Sequence, residues 1–426
     1  MTVIYNIIEL MLTKKHTTTI LTILYFSLFF GVYLNEDSLG GAFSDYKGLF
    51  YISEEFRDDF FYSFLNYDEI GNRHSPFFYI LRSALPFNEI FQRIFFLHIY
   101  LLIPIFFYKS LKKIFKTTPK NNLKLLAFVL LLFPTYRSYS IWPDPHLLGV
   151  LFFTISIYFF LKFKENKKNL KNSVLNTIYL ALSAYSSPNF GIFVIYFFYE
   201  FYLRFDISKK LILIIFLNII LSIPFFYYLF YLDVNFIFKD NSWDIGENFY
   251  SKENISNKIL IISSIFCFYL IPILNHKKII SDFNLMHIID IRLMSFILFF
   301  LFCCYFFDFT SAYNLTNSGG GFFYNISKFL FNNNYLFYLI NFLAFIFIGK
   351  ASFANIKNCL LFLCLVLSNP QVTIWQANFS PTLFCLILLL FSIDFIKKNF
   401  ALKRIFFIYL YFGSYLVINF AKNILI

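Results

Sequence analysis

Three short polar segments carry the side chains best suited to chemistry in this chain. The first is NEDSLGGAFSDYKG, residues 35–48, which comes directly off an apolar run. Its Gly40-Gly41 pair suits a tight turn, and Asp45 follows it. A carboxylate there can take a proton from a hydroxyl nucleophile, provided it stays ionised and within hydrogen-bond reach. Otherwise Asp45 is an ordinary hydrated loop residue, and Glu36 and Asp37 are rival carboxylates in the same turn. The second segment is GNRHSPFFYILR, residues 71–82. Its Arg73, His74 and Arg82 are donors that suit a phosphate or a sugar hydroxyl, or that pair with the surplus acids nearby. The third is FPTYRSYSIWPDPHLLG, residues 133–149. Arg137 lies close to apolar sequence, where an unpaired cation is costly, so a partner or a ligand is expected. Trp142 fits an interfacial belt as easily as a sugar-stacking platform. Asp144 and His146 are ligand types for a divalent metal, but a lone Asp-x-His specifies little.

Three further segments are polar enough to line a site: AYSSPNFG at 184–191, the loop with Asn314, Gly319, Gly320, Gly321 and Tyr324, and NPQVTIWQANFSP at 369–381. A triple glycine can cradle phosphate, yet no Lys-Ser/Thr follows it, so it is no Walker motif. Nothing resembles a nucleotide fold, a serine triad or a haem site, and no cofactor is expected. The six cysteines fall in apolar runs and read as small buried hydrophobes. The 67 Phe and 31 Tyr match an AT-rich coding bias and carry no functional argument.

The elements that must position these residues are membrane helices. The chain has 426 residues, 59% of them hydrophobic and 14% charged, and a mean hydropathy of +0.66. One soluble core could not hide that much apolar surface. Stretches of roughly 16–22 apolar residues are long enough to cross about 30 Å of hydrocarbon. Hydropathy places such runs, several of them shorter than this, at 18–34, 94–108, 125–141, 147–163, 174–186, 190–203, 211–232, 259–274, 293–309, 334–349, 358–368, 382–396 and 405–421. The fifth and sixth can be one helix kinked at Ser187-Pro188. The expected fold is therefore all-α, a single polytopic membrane domain of about 11–13 spanning helices. The first run follows Lys14, Lys15 and His16 as a signal peptide would, but no small-residue cleavage site follows, so it reads as a retained span.

Charge gives the expected topology. With the N-terminus inside, most of the 36 Lys and Arg residues fall in cytoplasmic loops, and most of the 24 Asp and Glu fall outside. The formal net charge of +12 is then a topology signal dispersed over short loops, and no nucleic-acid partner is implied. The C-terminus is expected outside. The longest outer loop, 35–93, has Leu49, Ile52, Phe56, Phe60 and Phe64 at helical spacing, with Glu54, Glu55, Asp58 and Asp59 between them. This predicts an amphipathic helix lying on the membrane surface, apolar face down. Ser75-Pro76 marks a second helix start, running through Phe77 to Leu85.

Together these segments resemble the GT-C superfamily, multi-span glycosyltransferases that use polyprenyl-phosphate sugars. Asp45 in GGAFSDY sits where the family's catalytic acid is expected. RHSPFFYIL is similar to the His/Pro segment that follows it in bacterial members. WPDPHLLG, the Ser-Ser-Pro at 186–188 and the late NPQVTIW…SP loop also resemble recurring features. Asp45 is followed by Tyr46 rather than a second acid, so the base stays open between Asp45 and Asp37. The resemblance implies inverting, metal-independent transfer of a sugar from a polyprenyl monophosphate to an acceptor hydroxyl on the outer face of the plasma (inner) membrane. Asp45 would be the base, and Arg137, with Arg73 or Arg82, would neutralise the departing phosphate. The acceptor, glycan or lipid, is unspecified. Alternatives are an O-antigen-type polymerase or ligase, and a flippase of lipid-linked glycans or a small-molecule transporter. A transporter should show internal repeats and charged or broken helices near the midplane. No clear repeat is present, mid-span ionisable residues are few, and His98 reads as packing.

Overall fold

A chain in hydrocarbon must satisfy its own N–H and C=O groups, so the apolar runs of this sequence become helices. The computed structural model describes residues 14–67, 69–70, 75–86, 88–166, 169–231, 251–275, 291–309, 319–369, 374–394, 396 and 400–425. Among the described residues all regular structure is helical, apart from one isolated bridge between Leu274 and Ile396. Among the described residues, seven helices are long and apolar enough to cross a membrane: His16–Tyr33, Glu89–Ile114, Pro145–Glu165, Lys209–Tyr231, Lys252–Ile273, Tyr335–Ser352 and Leu402–Lys422. Met294–Tyr305, Ile356–Ser368 and Gln376–Leu389 are apolar but shorter. The chain is a polytopic helical protein.

The lower number of long helices has local causes. The run at 125–141 is interrupted at Pro134, which has no N–H to continue a helix. A helix at Lys120–Phe128 gives way to a 3₁₀ turn at Val129–Leu132, and a second helix starts at Pro134. The runs at 174–186 and 190–203 are likewise separate helices, parted at Ser187 and by a 3₁₀ turn at Pro188–Phe193.

The chain divides into two compact units, Met1–Phe236 with Lys398–Ile426, and Ile237–Lys397. The first begins with α1 (Lys14–Tyr33) and a layer of short helices: α2 (Ala42–Asp58), α3 (Phe60–Leu65) and α4 (Phe77–Ser83). Then come α5 (Glu89–Tyr100), α6 (Leu102–Ile114), α7 (Lys120–Phe128), α8 (Pro134–Ile141), α9 (Pro145–Glu165), α10 (Leu170–Ser186), α11 (Val194–Phe205) and α12 (Lys209–Phe226). The single helix expected through Phe64 is broken at Asp59, which caps α3, so Phe60 and Phe64 fall on α3 and Phe60 is exposed. Leu49, Ile52 and Phe56 are buried, but against protein: Phe56 lies parallel to Tyr79 of α4 with centroids 6.4 Å apart. The exposed aromatics of this layer are on α3 instead, with Phe61 75% exposed. Helices α9 and α10 form a hairpin whose contact combines stacked rings, Phe159 on Tyr179, with polar and small residues. Ser183 Oγ donates to the Gly149 carbonyl at 2.7 Å, and Asn176 Nδ2 donates to Ser156 Oγ at 2.7 Å, as suits packing inside a membrane. A Cβ on Gly149 would come within 2.8 Å of the Phe190 ring.

The second unit contains α13 (Lys252–Leu270), α14 (Ile291–Tyr305), α15 (Gly321–Phe331), α16 (Tyr335–Ala354), α17 (Ile356–Ser368) and α18 (Thr382–Leu389). Helix α13 is its centre, since almost every residue from Ile259 to Leu270 is buried. Gly319, Gly320 and Gly321 all have positive φ, near +80°, and start α15. Their neighbours are protein: Gly320 N donates to the Ile374 carbonyl at 2.8 Å, and Phe322 N to Gln376 Oε1 at 2.8 Å.

The chain returns to the first unit as α19 (Leu402–Leu425). Basic residues cluster at one end of that unit. Lys112 and Lys113 close α6, Lys162 and Lys164 close α9, Arg204 closes α11, and Lys209 and Lys210 open α12. A Lys113–Glu165 ion pair and Arg204 over the Phe163 ring tie these termini together. Phe400 N donates to Thr118 Oγ1 at 3.2 Å, which fixes the start of α19 at the same end. The opposite end holds Glu36, Asp37, Asp45 and Asp144, where α1 finishes. Both α1 and α19 therefore run from the basic end to the acidic end. Reporters fused before Met1 and after Ile426 should score on opposite sides of the membrane. A same-side result would contradict this parallel arrangement.

Candidate active site

The site is built on one turn. The Asp37 carboxylate accepts N–H groups from Gly40 at 2.9 Å, Gly41 at 2.8 Å and Phe43 at 3.1 Å. Gly40 and Gly41 take φ of +77° and +118°, a region that favours glycine strongly. The turn aims the chain into α2, and Asp45 falls in the first turn of that helix, exposed. Of the two candidate bases, Asp37 serves the turn and Asp45 is the one presented outward.

The turn is anchored to α8 by a buried ion pair. Arg137 Nε donates to Glu36 Oε1 at 2.6 Å and Nη2 to Oε2 at 2.5 Å, with the side chains 6% and 7% exposed. Its remaining donors go to Ser27 Oγ at 2.9 Å and the Ser27 carbonyl at 3.1 Å. The partner expected for this cation is thus Glu36, which leaves no guanidinium nitrogen uncommitted for a phosphate. Ser138 Oγ accepts from Leu39 N at 2.8 Å and stitches the same two segments. Gly31 permits the approach, since a Cβ there would lie 2.7 Å from Glu36 Oε2.

Trp142 is interior. Its Nε1 donates to the Glu36 carbonyl at 3.0 Å, the Arg93 guanidinium lies 3.6 Å from its ring centroid, and Phe43 and Tyr46 pack against it. These contacts occupy the ring surface that a sugar would need.

Asp144 is buried at the start of α9, where its Oδ1 accepts the His146 N–H at 2.7 Å and caps the helix. Its carbonyl accepts from Tyr100 OH at 3.0 Å. Burial pushes its carboxyl up to about 7; the His146 N–H opposes that rise and the negative charge of Asp45 adds to it. The partly buried Tyr139 phenol is held well above its ordinary range by burial and then by Asp144, Asp45 and Asp37. Three carboxylates therefore share one electrostatic neighbourhood around Tyr139. The His146 ring packs parallel to Phe190 and edge-on to Tyr139. Among the described residues no three His, Cys, Asp or Glu side chains are grouped to hold a metal. The Asp-x-His spacing is accounted for by the cap.

Cations lie around Tyr46, the next residue of the same helix. Arg82 is 1% exposed, donating Nε to Gln92 Oε1 at 2.8 Å and Nη2 to Tyr46 OH at 2.7 Å, while Nη1 has no hydrogen-bond partner among the described residues. Arg93 is also buried and donates to the Ile141 carbonyl at 2.9 Å and Asn35 Oδ1 at 3.1 Å. Neither has a carboxylate within 4 Å among the described residues. Burial lifts the Tyr46 phenol to about 12, against the pull of both arginines. Arg73 and His74 lie outside the described residues. The structure thus brings Asp45 within electrostatic reach of Asp144, bonds Arg82 to Tyr46, the residue after Asp45, and gives Arg137 and Trp142 to the frame. Sequence reasoning passed over Arg93, Tyr46 and Tyr139. Arg93, a cation inside an apolar helix, carries the same signal as Arg137.

No family model matches the chain, and no curated protein or solved structure matches it either.

Two measurements test this frame. Asp144 has a raised carboxyl, so folding favours its protonated form, and stability should fall as pH rises from about 4 to about 7. Asp144→Asn should remove that fall: equal stability near pH 4, and greater stability than the native chain above pH 7 by up to about 4 kcal/mol. Parallel melting curves across this range for both proteins would contradict it. Arg137→Ala strands Glu36 as an uncompensated buried charge and should destabilise the first unit by about 3–5 kcal/mol. A loss below about 1 kcal/mol, the scale of an exposed pair, would show that the clamp is solvated.

Proposed function

We propose that the chain is a multi-pass glycosyltransferase of the GT-C type. It moves a sugar from a polyprenyl-phosphate donor to an acceptor hydroxyl, with inversion, at the acidic end of the first unit. The observation that carries this reading is the charge environment of the first turn of α2. Asp45 shares the electrostatic neighbourhood of Asp144, and around the next residue, Tyr46, lie two buried arginines with no carboxylate within 4 Å among the described residues. Asp45 takes the acceptor's hydroxyl proton as the oxygen bonds the anomeric carbon. The bond from that carbon to the phosphate oxygen breaks, and its electron pair leaves with the polyprenyl phosphate. Arg82, with Arg93 behind it, faces the growing negative charge, the role first expected of Arg137. A monophosphate needs no metal when guanidinium groups neutralise it. The basic end then lies in the cytoplasm, by the positive-inside rule, and the site opens on the outer face of the plasma (inner) membrane. In this reading α3 rests its exposed aromatics in the interface.

A transporter or flippase of lipid-linked glycans is favoured by a different observation. Glu200 in α11 and Lys258 in α13 are ionisable groups buried inside helices.

The test is transfer of labelled sugar from a synthetic polyprenyl-phosphate donor in liposomes. Asp45→Asn should keep the fold and donor binding yet cut turnover at least about 100-fold, because an amide cannot take the proton. Chelator should change little. Turnover that survives Asp45→Asn, or vanishes with chelator, rejects the mechanism. Activity that instead depends on Glu200 or Lys258 favours the transport reading.

A further inference from the structure

The basic end of the first unit is a collar of lysines laid on aromatic rings. Lys113 Nζ lies 5.8 Å from the Tyr158 ring centroid, and Lys162 Nζ lies 4.9 Å from the same ring. Lys162 is also 5.6 Å from the Phe159 centroid, and Lys109 lies 4.5 Å over Phe106, which meets Tyr158 edge-on. These residues occupy the last turns of Glu89–Ile114 and Pro145–Glu165, two of the candidate spans. Aromatic rings where a span ends, with long cationic stems lying along them, sit at headgroup depth in a bilayer.

The charges in this group do not balance. Two ammonium groups crowd one ring, and Glu165 pairs with Lys113 alone. Lys162 has no carboxylate within 4 Å among the described residues. Favourable ends of the helix dipoles account for cations near the last turns of α6 and α9. They do not account for two ammonium groups converging on one ring from different helices. A phosphate diester lying between Lys113 and Lys162 would complete the balance, with its acyl chains running along the apolar flank of α6.

We propose that Lys113, Lys162 and Tyr158 seat the headgroup of an anionic phospholipid between the ends of α6 and α9. The seat is at the far end of the first unit from Asp45 and operates independently of sugar transfer. Charge complementarity selects the ligand: anionic headgroups bind here, and zwitterionic ones bind less well. Binding that favours the folded state then raises Tm by mass action.

The experiment places the full chain in nanodiscs of phosphatidylcholine, alone or with added phosphatidylglycerol. Phosphatidylglycerol should raise Tm by about 3 °C or more. The Lys113→Gln/Lys162→Gln variant should lose at least half of that rise, Lys162→Arg should keep it, and Lys47→Gln at the opposite end should keep all of it. Equal Tm in the two lipids overturns the proposal, and so does a rise that survives the double substitution. A rise reproduced by inorganic phosphate in pure phosphatidylcholine discs also overturns it, since the site would then be one for a soluble anion. If the double variant does not fold, mass spectrometry of co-purified lipid on Lys162→Gln decides. Reduced retention of phosphatidylglycerol supports the seat, and unchanged retention overturns it.

Discussion

The Glu36–Arg137 pair is the contact on which the acidic end of the first unit depends. It joins residues 101 positions apart and brings the end of α1 onto α8. Two charges so far from water lose much of their hydration, so the pair is a weak source of net stability. Its stronger effect is on register. A bidentate guanidinium–carboxylate contact fixes both distance and plane, and neighbouring groups exploit that. The Glu36 carbonyl receives Trp142, Ser138 receives Leu39, and Asp37 is held where its carboxylate can gather three backbone donors. The direction of α2, and with it the position of Asp45, follows.

That direction places two unlike electrostatic environments around adjacent residues of one helix turn. Burial, with a smaller push from the negative charge of Asp45, raises the Asp144 carboxyl to about 7. Asp45 is the exposed member of the two and Asp144 the buried one. Around Tyr46, Arg82 and Arg93 remain cationic although buried, with only neutral groups as hydrogen-bond partners. Desolvated cations of this kind are costly, and the charges of Glu89 and, for Arg82, Glu54 offset part of that cost.

Much of the scaffold was legible in the sequence because membrane helices write themselves in long apolar runs. The turn at Gly40-Gly41, the start of α4 at Pro76 and the separation of α10 from α11 at Ser187-Pro188 were each marked by residues with narrow backbone preferences. The apolar face of α2 was readable from Leu49, Ile52 and Phe56, but its partner was not. Periodicity reports that a face is buried and cannot say whether lipid or protein covers it. The role of Arg137 was half readable. An intramembrane cation requires a partner, but Glu36 lies a hundred residues away, and no local pattern links them. Asp144 and His146 show the converse, a spacing with metal-ligand chemistry that the structure uses for a helix cap. The triple glycine is similar: its positive φ angles serve the packing of α15 against residues 374–376.

The interruption at Phe133-Pro134 ties these points together. A continuous helix through 125–141 would have carried Arg137, Ser138 and Tyr139 on a regular spiral, with the cation facing whatever lay beside it. The break instead gives a short helix, α8, most of whose residues are buried, including Thr135, Arg137, Ser138 and Ser140. Non-helical backbone at membrane depth is tolerated only where protein encloses it. Here α1, α5 and α9 supply that enclosure: Arg137 is held from α1, Ile141 by Arg93 of α5, and the Tyr136 hydroxyl donates to the Tyr100 carbonyl of α5 at 2.9 Å. The polar segment and its enclosure therefore require each other. Restoring helicity at Pro134 would rotate Arg137 away from Glu36, and without that pair the turn carrying Asp45 would lose its anchor to α8.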